Sequence, residues 1–171
     1  MIKDKFLLNL LEHGSTHLFH EPEDLNEMVG YLTQRNFKVH LFDCSSWSNT
    51  KMMGEDFDKK LDFDICCGGG LPSLEDCLRD VIISPEEGRV LVFKNFDIFF
   101  HQMPEYAWNV LDILELKSRD HLLYDQIFVM FLQSNDENLC AFSGSLKFIG
   151  GTRVNFRDIS YLRKLALGKI N

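Results

Sequence analysis

Carboxylate side chains are concentrated in one short part of the sequence. Eight acidic and three basic residues lie between positions 55 and 80, so these 26 residues carry five of the chain's eight net negative charges. The acidic residues are Glu55, Asp56, Asp58, Asp62, Asp64, Glu75, Asp76 and Asp80. Such residues can perform acid–base catalysis, bind a hard cation or bind a basic protein. An acidic surface repels nucleic acid, so we expect no nucleic acid partner.

The last three of these acidic residues follow a glycine triplet, Gly68 to Gly70, in a segment that predicts a helix. Neighbouring residues of a helix point in different directions, so Glu75 and Asp76 do not form a catalytic pair by themselves. The triplet matches neither phosphate-binding pattern, GxGxxG or GxxxxGK[ST], and its neighbours are acidic. We therefore expect a surface that binds a cationic protein, without catalytic residues and without a cofactor.

The cysteines indicate a protein of a reducing compartment. They are five in number, which is odd, and no two have the CxxC spacing. This pattern is typical of reduced thiols in the cytoplasm and not of a disulfide framework. The adjacent pair Cys66 and Cys67 could bind a soft metal or act in redox chemistry, but no nearby His and Cys complete a tetrahedral set. We interpret the pair as small apolar residues of a loop and predict no metal site.

Charge is distributed unevenly along the chain. Residues 146–171 contain six basic residues and one acidic residue, a net charge of +5, which leaves −13 for the other 145 residues. We predict an α/β domain over residues 1–135, whose first 35 residues are an extension with a helix, a strand and a second helix. Residues 136–171 then form a basic C-terminal extension that either packs on the domain or is appended to it.

Alternating apolar segments predict the elements that position the acidic residues. Strands are predicted at residues 16–20, 37–42, 89–93 and 127–132, and helices at 3–12, 22–35, 49–61, 72–81 and 104–123. Leu114 and Leu123 are expected on the inward face of the last of these helices. A hairpin at 146–156 and a helix at 159–167 are predicted in the basic extension. Right-handed crossovers then give a small parallel sheet of three to four strands with helices packed against it.

No run of 18 apolar residues occurs, and no charged and then apolar leader follows Met1. We therefore expect a cytoplasmic protein without a membrane partner, monomeric when free.

This order of elements, together with the sequence CGGGLPSLEDCLRDV at residues 67–81, resembles the barstar family of small inhibitors of microbial ribonucleases. In that family an aromatic-Gly-Asn loop precedes Leu-Asp-Ala-Leu and an acidic-Cys-Leu motif. The resemblance extends over residues 16–133. By position, Asp76 matches the family's critical aspartate before the cysteine, Gly68 matches the loop glycine, and Leu71 and Leu74 match core leucines.

Four positions depart from the family pattern. Pro72 stands where the motif has its earlier aspartate, and Gly70 stands where the loop has asparagine. Cys66 and Cys67 replace the aromatic residues before the glycine. Two partner-facing groups of the family are therefore absent, which predicts a target different from barnase. Glu75 and Asp80 are the acidic residues that would compensate.

The resemblance implies a barstar-like fold and a protein that plugs a ribonuclease active site with carboxylates in place of RNA phosphates. We accordingly predict an immunity or antitoxin protein, not an enzyme, whose partner is a basic toxin of the ribonuclease class. The predicted partner-binding residues are Cys66, Cys67, Gly68, Gly69, Gly70, Pro72, Glu75, Asp76 and Asp80. The alternatives are a non-inhibitory interaction or regulatory module with the same fold, which uses the basic extension, and an enzyme of another kind.

Overall fold

The structure of the protein is a computed structural model. It describes residues 5–11, 14–63, 70–81, 83 and 87–139. Its helices are α1 (Lys5–Leu11), α2 (Pro22–Thr33), α3 (Thr50–Leu61), α4 (Leu71–Arg79), α5 (Phe96–Gln102) and α6 (Pro104–Leu122), with a 3₁₀ turn at Cys44–Ser46. Its strands are β1 (Thr16–Phe19), β2 (Phe37–Asp43), β3 (Gly88–Lys94) and β4 (Phe128–Gln133). The hairpin and helix predicted within residues 146–167 lie outside the described residues.

The four described strands form one parallel sheet in the order β1-β4-β3-β2. The two central strands are continuous apolar runs, such as Val90 to Phe93, and almost all of their residues are buried. This is expected of parallel strands that are covered on both faces. The edge strand β2 alternates instead, with Lys38 and Leu41 exposed. The structure confirms the predicted α/β fold with a small parallel sheet.

Helices cover both faces of the sheet. Strands β2, β3 and β4 follow one another from one edge inward, and α3, α4, α5 and α6 pack in a single apolar core on one face. The connection from β1 to β2 runs in the opposite direction across the whole sheet, so a right-handed crossover places α2 on the other face. There α1 and α2 bury Phe6, Leu25 and Leu32 against Val92 and Phe131.

A buried carboxylate ties the first strand to the last helix. Glu115 of α6 is 3% exposed. Its Oε2 accepts hydrogen bonds from the hydroxyls of Ser15 and Thr16, at 2.8 Å each. The backbone N–H of Ser15 donates to both Glu115 oxygens at 3.2 Å. Burial of a charge is costly unless it is well hydrogen-bonded, so this set of donors fixes β1 against α6.

The predicted inward position of Leu123 is wrong. Helix α6 ends at Leu122 and the chain turns, with the N–H of Leu123 donating to the Asp120 carbonyl at 3.2 Å. Leu123 follows the buried Leu114 by nine residues, which is half a turn around the helix axis, so it lies on the exposed side with Leu116. Leu123 is 82% exposed, whereas Leu114 is buried as expected. No helix among the described residues is long and apolar enough to cross a membrane.

Candidate partner-binding site

Helix α4 carries the acidic residues that the sequence singled out, and its start is defined by glycine and proline. Gly70 has a φ of 86°, a conformation that glycine adopts without strain, and its carbonyl accepts the N–H of Leu74 at 3.0 Å. Pro72 lies in the first turn, where a missing N–H costs nothing. Leu74 and Leu78 face the core and hold the helix on the domain.

The structure places five of the nine predicted partner-binding residues, all on or beside α4. Pro72, Asp76 and Asp80 are exposed, while Gly70 and Glu75 are partly buried. The other four residues lie outside the described part of the chain. They are Cys66, Cys67, Gly68 and Gly69. The described site is therefore the exposed side of α4.

Asp76 and Glu75 each have a basic neighbour within the chain. A guanidinium nitrogen of Arg79 lies 3.0 Å from Asp76 Oδ1, and the Asp76 side chain is 67% exposed. An ion pair exposed to this degree contributes little stability, so Asp76 can exchange Arg79 for another cation at small cost. Glu75 lies 3.4 Å from Lys117 Nζ of α6. That ammonium group also contacts Asp120 at 3.3 Å, and the Lys117 side chain is only 6% exposed.

Asp80 differs from both of these residues. It is the C-cap of α4, and its N–H donates to the Cys77 carbonyl at 3.1 Å. A negative charge at the C-terminus of a helix is disfavoured by the helix dipole. Asp80 forms no ion pair with any residue that the structure describes. Its carboxylate is therefore the one most readily stabilised by a cation from outside.

The acidic residues upstream do not add to this surface as one patch. Glu55 pairs with Lys51 at 3.7 Å along α3. Asp56 contacts Lys60 at 2.9 Å and accepts a hydrogen bond from the indole of Trp47 at 3.0 Å. These residues belong to α3, whereas α4 packs chiefly against α6. The run of acidic residues in the sequence is thus divided between helices and partly neutralised within the chain.

Beside α4 the structure reveals a cleft that the sequence did not indicate. Its volume is about 610 Å³, and it lies between the C-terminal ends of α4 and α6. His121 forms its wall, with Nε2 3.2 Å from the Leu78 carbonyl and Nδ1 2.7 Å from Gln126 Oε1. Arg79, Asp80, Val81, Lys117, Asp120, Leu123 and Tyr124 also line it. One feature of the sequence could have indicated a charged contact here. Lys117 lies on the inward face of the predicted helix, where a lysine needs an acidic partner.

The cysteines of the described chain differ from one another. Cys44 is a free buried thiol, and burial raises its pKa well above the usual value. Cys77 is buried on α4 and is disulfide-bonded. The reduced thiol predicted at Cys77 is therefore not what the structure contains. Among the described residues, no three His, Cys, Asp or Glu side chains form a group that could hold a metal ion.

The described site therefore combines exposed carboxylates on a firmly held helix with a neighbouring cleft, an arrangement suited to binding another protein.

Comparison with known families agrees with this description. The family model described as Barstar (barnase inhibitor) matches residues 37–133, which is more than half of the chain. The match begins at the first residue of β2 and ends at the last residue of β4, so it includes α4 and α6 and leaves out α1, β1 and α2. A search of curated proteins found none that matches the chain.

Proposed function

The chain belongs to the barstar family, as the resemblance in its sequence predicted, and from this premise we propose that it inhibits a basic ribonuclease. It acts in the cytoplasm as an immunity or antitoxin protein that masks the active site of its target. The observation that supports this function best is the exposed carboxylate of Asp76 on α4, at the position of the family's critical aspartate.

The mechanism follows from how α4 is held. Leu74 and Leu78 are in the core, Glu75 contacts Lys117, and the Leu78 carbonyl contacts His121, so the helix does not have to be ordered when the partner binds. A preorganised surface loses less entropy on association. Asp76 then takes the place of an RNA phosphate and pairs with a cationic side chain of the nuclease. Such a charge-assisted hydrogen bond is among the stronger polar contacts of an interface.

The departures from the family pattern set the target class. Pro72 presents a ring where the motif has a carboxylate, so this chain offers one cation-binding group fewer at the start of α4. Asp80 and, across the cleft, Asp120 place carboxylates at the other end of the helix. We propose that the partner's basic side chains are displaced in the same direction, toward the C-terminus of α4. Barnase itself would then be a poorer target than a related basic ribonuclease.

Co-expression tests the proposal. The chain is produced together with each of a panel of basic microbial ribonucleases that includes barnase, and cell growth and RNA cleavage by the purified pair are measured. We expect protection against at least one ribonuclease. Asp76→Ala should weaken that complex by a factor of about 30 or more, because truncating one partner of a buried charge pair costs about 2–5 kcal/mol. Glu23→Ala, an exposed acidic residue of α2 on the opposite face, is the matched control.

Two results would contradict the proposal: no ribonuclease of the panel is inhibited, or the double variant Glu75→Ala and Asp76→Ala binds its ribonuclease as tightly as the unaltered chain.

The second candidate is a non-inhibitory interaction module that binds its partner through the basic C-terminal extension. It is favoured by the absence, at Pro72 and Gly70, of two groups with which the family contacts its targets. A chain that lacks residues 146–171 discriminates between the two functions. An inhibitor should bind its ribonuclease undiminished after this truncation, whereas a module that uses the extension should lose its partner.

A further inference from the structure

Half of the exposed large hydrophobic residues of the described chain belong to α6 or directly follow it. Six large hydrophobic side chains are exposed among the described residues, and three of them are here. They are Leu116 at 41%, Leu123 at 82% and Tyr124 at 73% exposed. We call these three residues the α6 patch. Single exposed hydrophobic residues are ordinary, but a group beside a cleft indicates a contact surface.

The surroundings of the α6 patch are acidic. Asp112 and Asp120 lie four residues on either side of Leu116, on the same exposed face of α6. Asp80 of α4 lines the cleft, and Asp125 directly follows Tyr124 in the chain. The basic residues nearby are engaged within the chain. Lys117 is buried between Glu75 and Asp120, Arg79 contacts Asp76, and Arg119, which lies between Leu116 and Leu123, contacts Glu115 at 3.9 Å. An apolar patch with an acidic rim fits an amphipathic segment with basic residues.

We propose that the occupant of the α6 patch is the chain's own C-terminal segment, residues 146–171. This segment has a net charge of +5 and is opposite in sign to the rim. Within it, the sequence predicts a helix over residues 159–167 that carries Ile159 and Leu162 at helical spacing, with Arg163 and Lys164 beside them. The apolar residues of the segment therefore match the α6 patch, and its basic residues match the acidic rim.

The chain is long enough to make this contact. The described part ends at Leu139, which is packed in the core beside α5. Residues 140–158 are 19 in number. They can span roughly 60 Å when extended, at about 3.3 Å per residue. Helix α6 has 19 residues, which corresponds to about 28 Å. The segment can thus return along α6 to its C-terminal end.

Docking of the segment has a consequence for inhibition, and only this consequence rests on the proposed function. The α6 patch adjoins Asp80, so a docked basic segment covers part of the surface that a basic ribonuclease would use. The segment and the ribonuclease then compete for the same carboxylates. Removal of residues 146–171 should leave inhibition intact and raise the association rate.

Carboxyl-to-amine cross-linking of the full chain, without any ribonuclease, tests the docking. A zero-length carbodiimide reagent joins carboxylates to lysines in contact, and mass spectrometry of the digest identifies the pairs. The Lys60–Asp56 and Lys117–Asp120 pairs are internal positive controls, since their atoms lie 2.9 and 3.3 Å apart. We expect Lys164 or Lys169 to be joined to Asp80, Asp120 or Asp125. An equal mixture of ¹⁵N-labelled and unlabelled chain separates links within one molecule from links between two.

Matched variants make the test specific. The double variant Leu123→Ser and Tyr124→Ser should reduce the yield of these links at least fivefold, and 0.5 M NaCl should reduce it as well. The control variant Leu41→Ser and Met52→Ser, which alters exposed hydrophobic residues elsewhere, should leave the yield unchanged. All four positions are exposed, so both variants should fold. The inference is overturned if the lysines of the segment link instead to Glu23 or Asp24 of α2, link only between molecules, do not link to the body, or link equally in both variants.

Discussion

Helix α6 carries two buried charged residues two positions apart, and they are stabilised in different ways. Residues two apart on a helix face different directions, and here Glu115 points to β1 while Lys117 points to α4. Glu115 takes its short hydrogen bonds from uncharged donors that are themselves buried, and its ion pair with Arg119 is longer, at 3.9 Å. Lys117 contacts two carboxylates that are about half exposed. The first arrangement fixes the fold, whereas the second also sets the charge of the candidate site.

The largest effect is expected from Glu115→Ala. The substitution leaves the Ser15 N–H and two hydroxyls buried without their acceptor. Each unsatisfied group costs about 1–3 kcal/mol, so the loss should be about 3–5 kcal/mol of unfolding free energy. Urea denaturation measures it. Glu105→Ala, at an exposed position of the same helix, should change the free energy by less than about 0.5 kcal/mol. A loss below 1 kcal/mol for Glu115→Ala would show that the buried carboxylate is not a fold-determining contact.

A smaller effect is expected from Lys117→Met. The methionine fills a similar volume, and the two carboxylates left behind can be solvated, so the loss should be about 1 kcal/mol. At the same time the candidate site loses one positive charge, so its net charge becomes more negative by one unit. Association with a basic ribonuclease should therefore become faster at low salt. Stopped-flow measurements at two salt concentrations test this. A destabilisation as large as that of Glu115→Ala would contradict the view that Glu115 contributes more to the stability of the fold than Lys117.

A third buried polar group, His40 of β2, has a hydrogen-bond partner within the described part of the chain for only one of its two ring nitrogens. Its Nδ1–H donates to the Lys60 carbonyl at 2.7 Å, while Nε2 has no hydrogen-bond partner among the described residues. Burial lowers the pKa of His40 from its usual 6.5, the bond to Lys60 opposes this, and the charges of Arg89 and Lys38 lower it further. The unfolded chain therefore takes up this proton at a higher pH than the folded chain.

Stability should accordingly decrease as the pH falls below about 6.5, with the contribution of His40 fully present above that value. Urea denaturation between pH 7.5 and 5.5 measures the slope, which His40→Gln should reduce. The pKa of Asp43 is lowered by hydrogen bonds from Ser45 and Asn95, so the stability it contributes is lost only in the acid range, below its usual 3.8. An unchanged slope in His40→Gln would exclude this histidine as the cause.

The smallest effect on stability is expected from Arg79→Ala. Its ion pair with Asp76 is exposed, so the change should be within about 0.5 kcal/mol. The variant frees Asp76 and should bind a basic ribonuclease at least as tightly as the unaltered chain, which a binding titration measures. Weaker binding would mean that Arg79 itself contacts the partner. Arg79→Ala and Lys117→Met each remove one positive charge from the site, but only Lys117 is buried and holds α4 on α6. Comparison of the two variants therefore separates the effect of charge on binding from the effect of the contact between the helices.

The sequence predicted the sheet and most helices because the signals are local. Val90 to Phe93 is a continuous apolar run, and Pro72 after glycines marks the start of a helix. It did not predict the role of Lys117, because the partner Glu75 lies 42 positions earlier and no local pattern connects the two. The inward position assigned to Leu123 was wrong because a residue nine positions after Leu114 lies on the opposite side of the helix, with the exposed Leu116.

The candidate site was predicted in part for the same reason. Asp76 and Asp80 could be located on one short helix from the sequence and the family pattern alone. Which acidic residues share a surface depends on packing between helices, and α4 packs against α6 and not chiefly against α3. The cleft near His121 and Tyr124 arises only from that packing, so residues far apart in the sequence had to be brought together before it could be recognised.

The strand order has a consequence for how the protein is made. Strand β1 pairs with β4, so Thr16 can pair only after Met130 has been synthesised. During synthesis the first strand leaves the ribosome long before its neighbour exists, and closing so long a loop costs entropy before any contact repays it. The sheet therefore cannot be completed until almost the whole described chain has been translated. Until then the apolar residues of β1 and α2 lack the residues of β4 against which they pack in the folded protein.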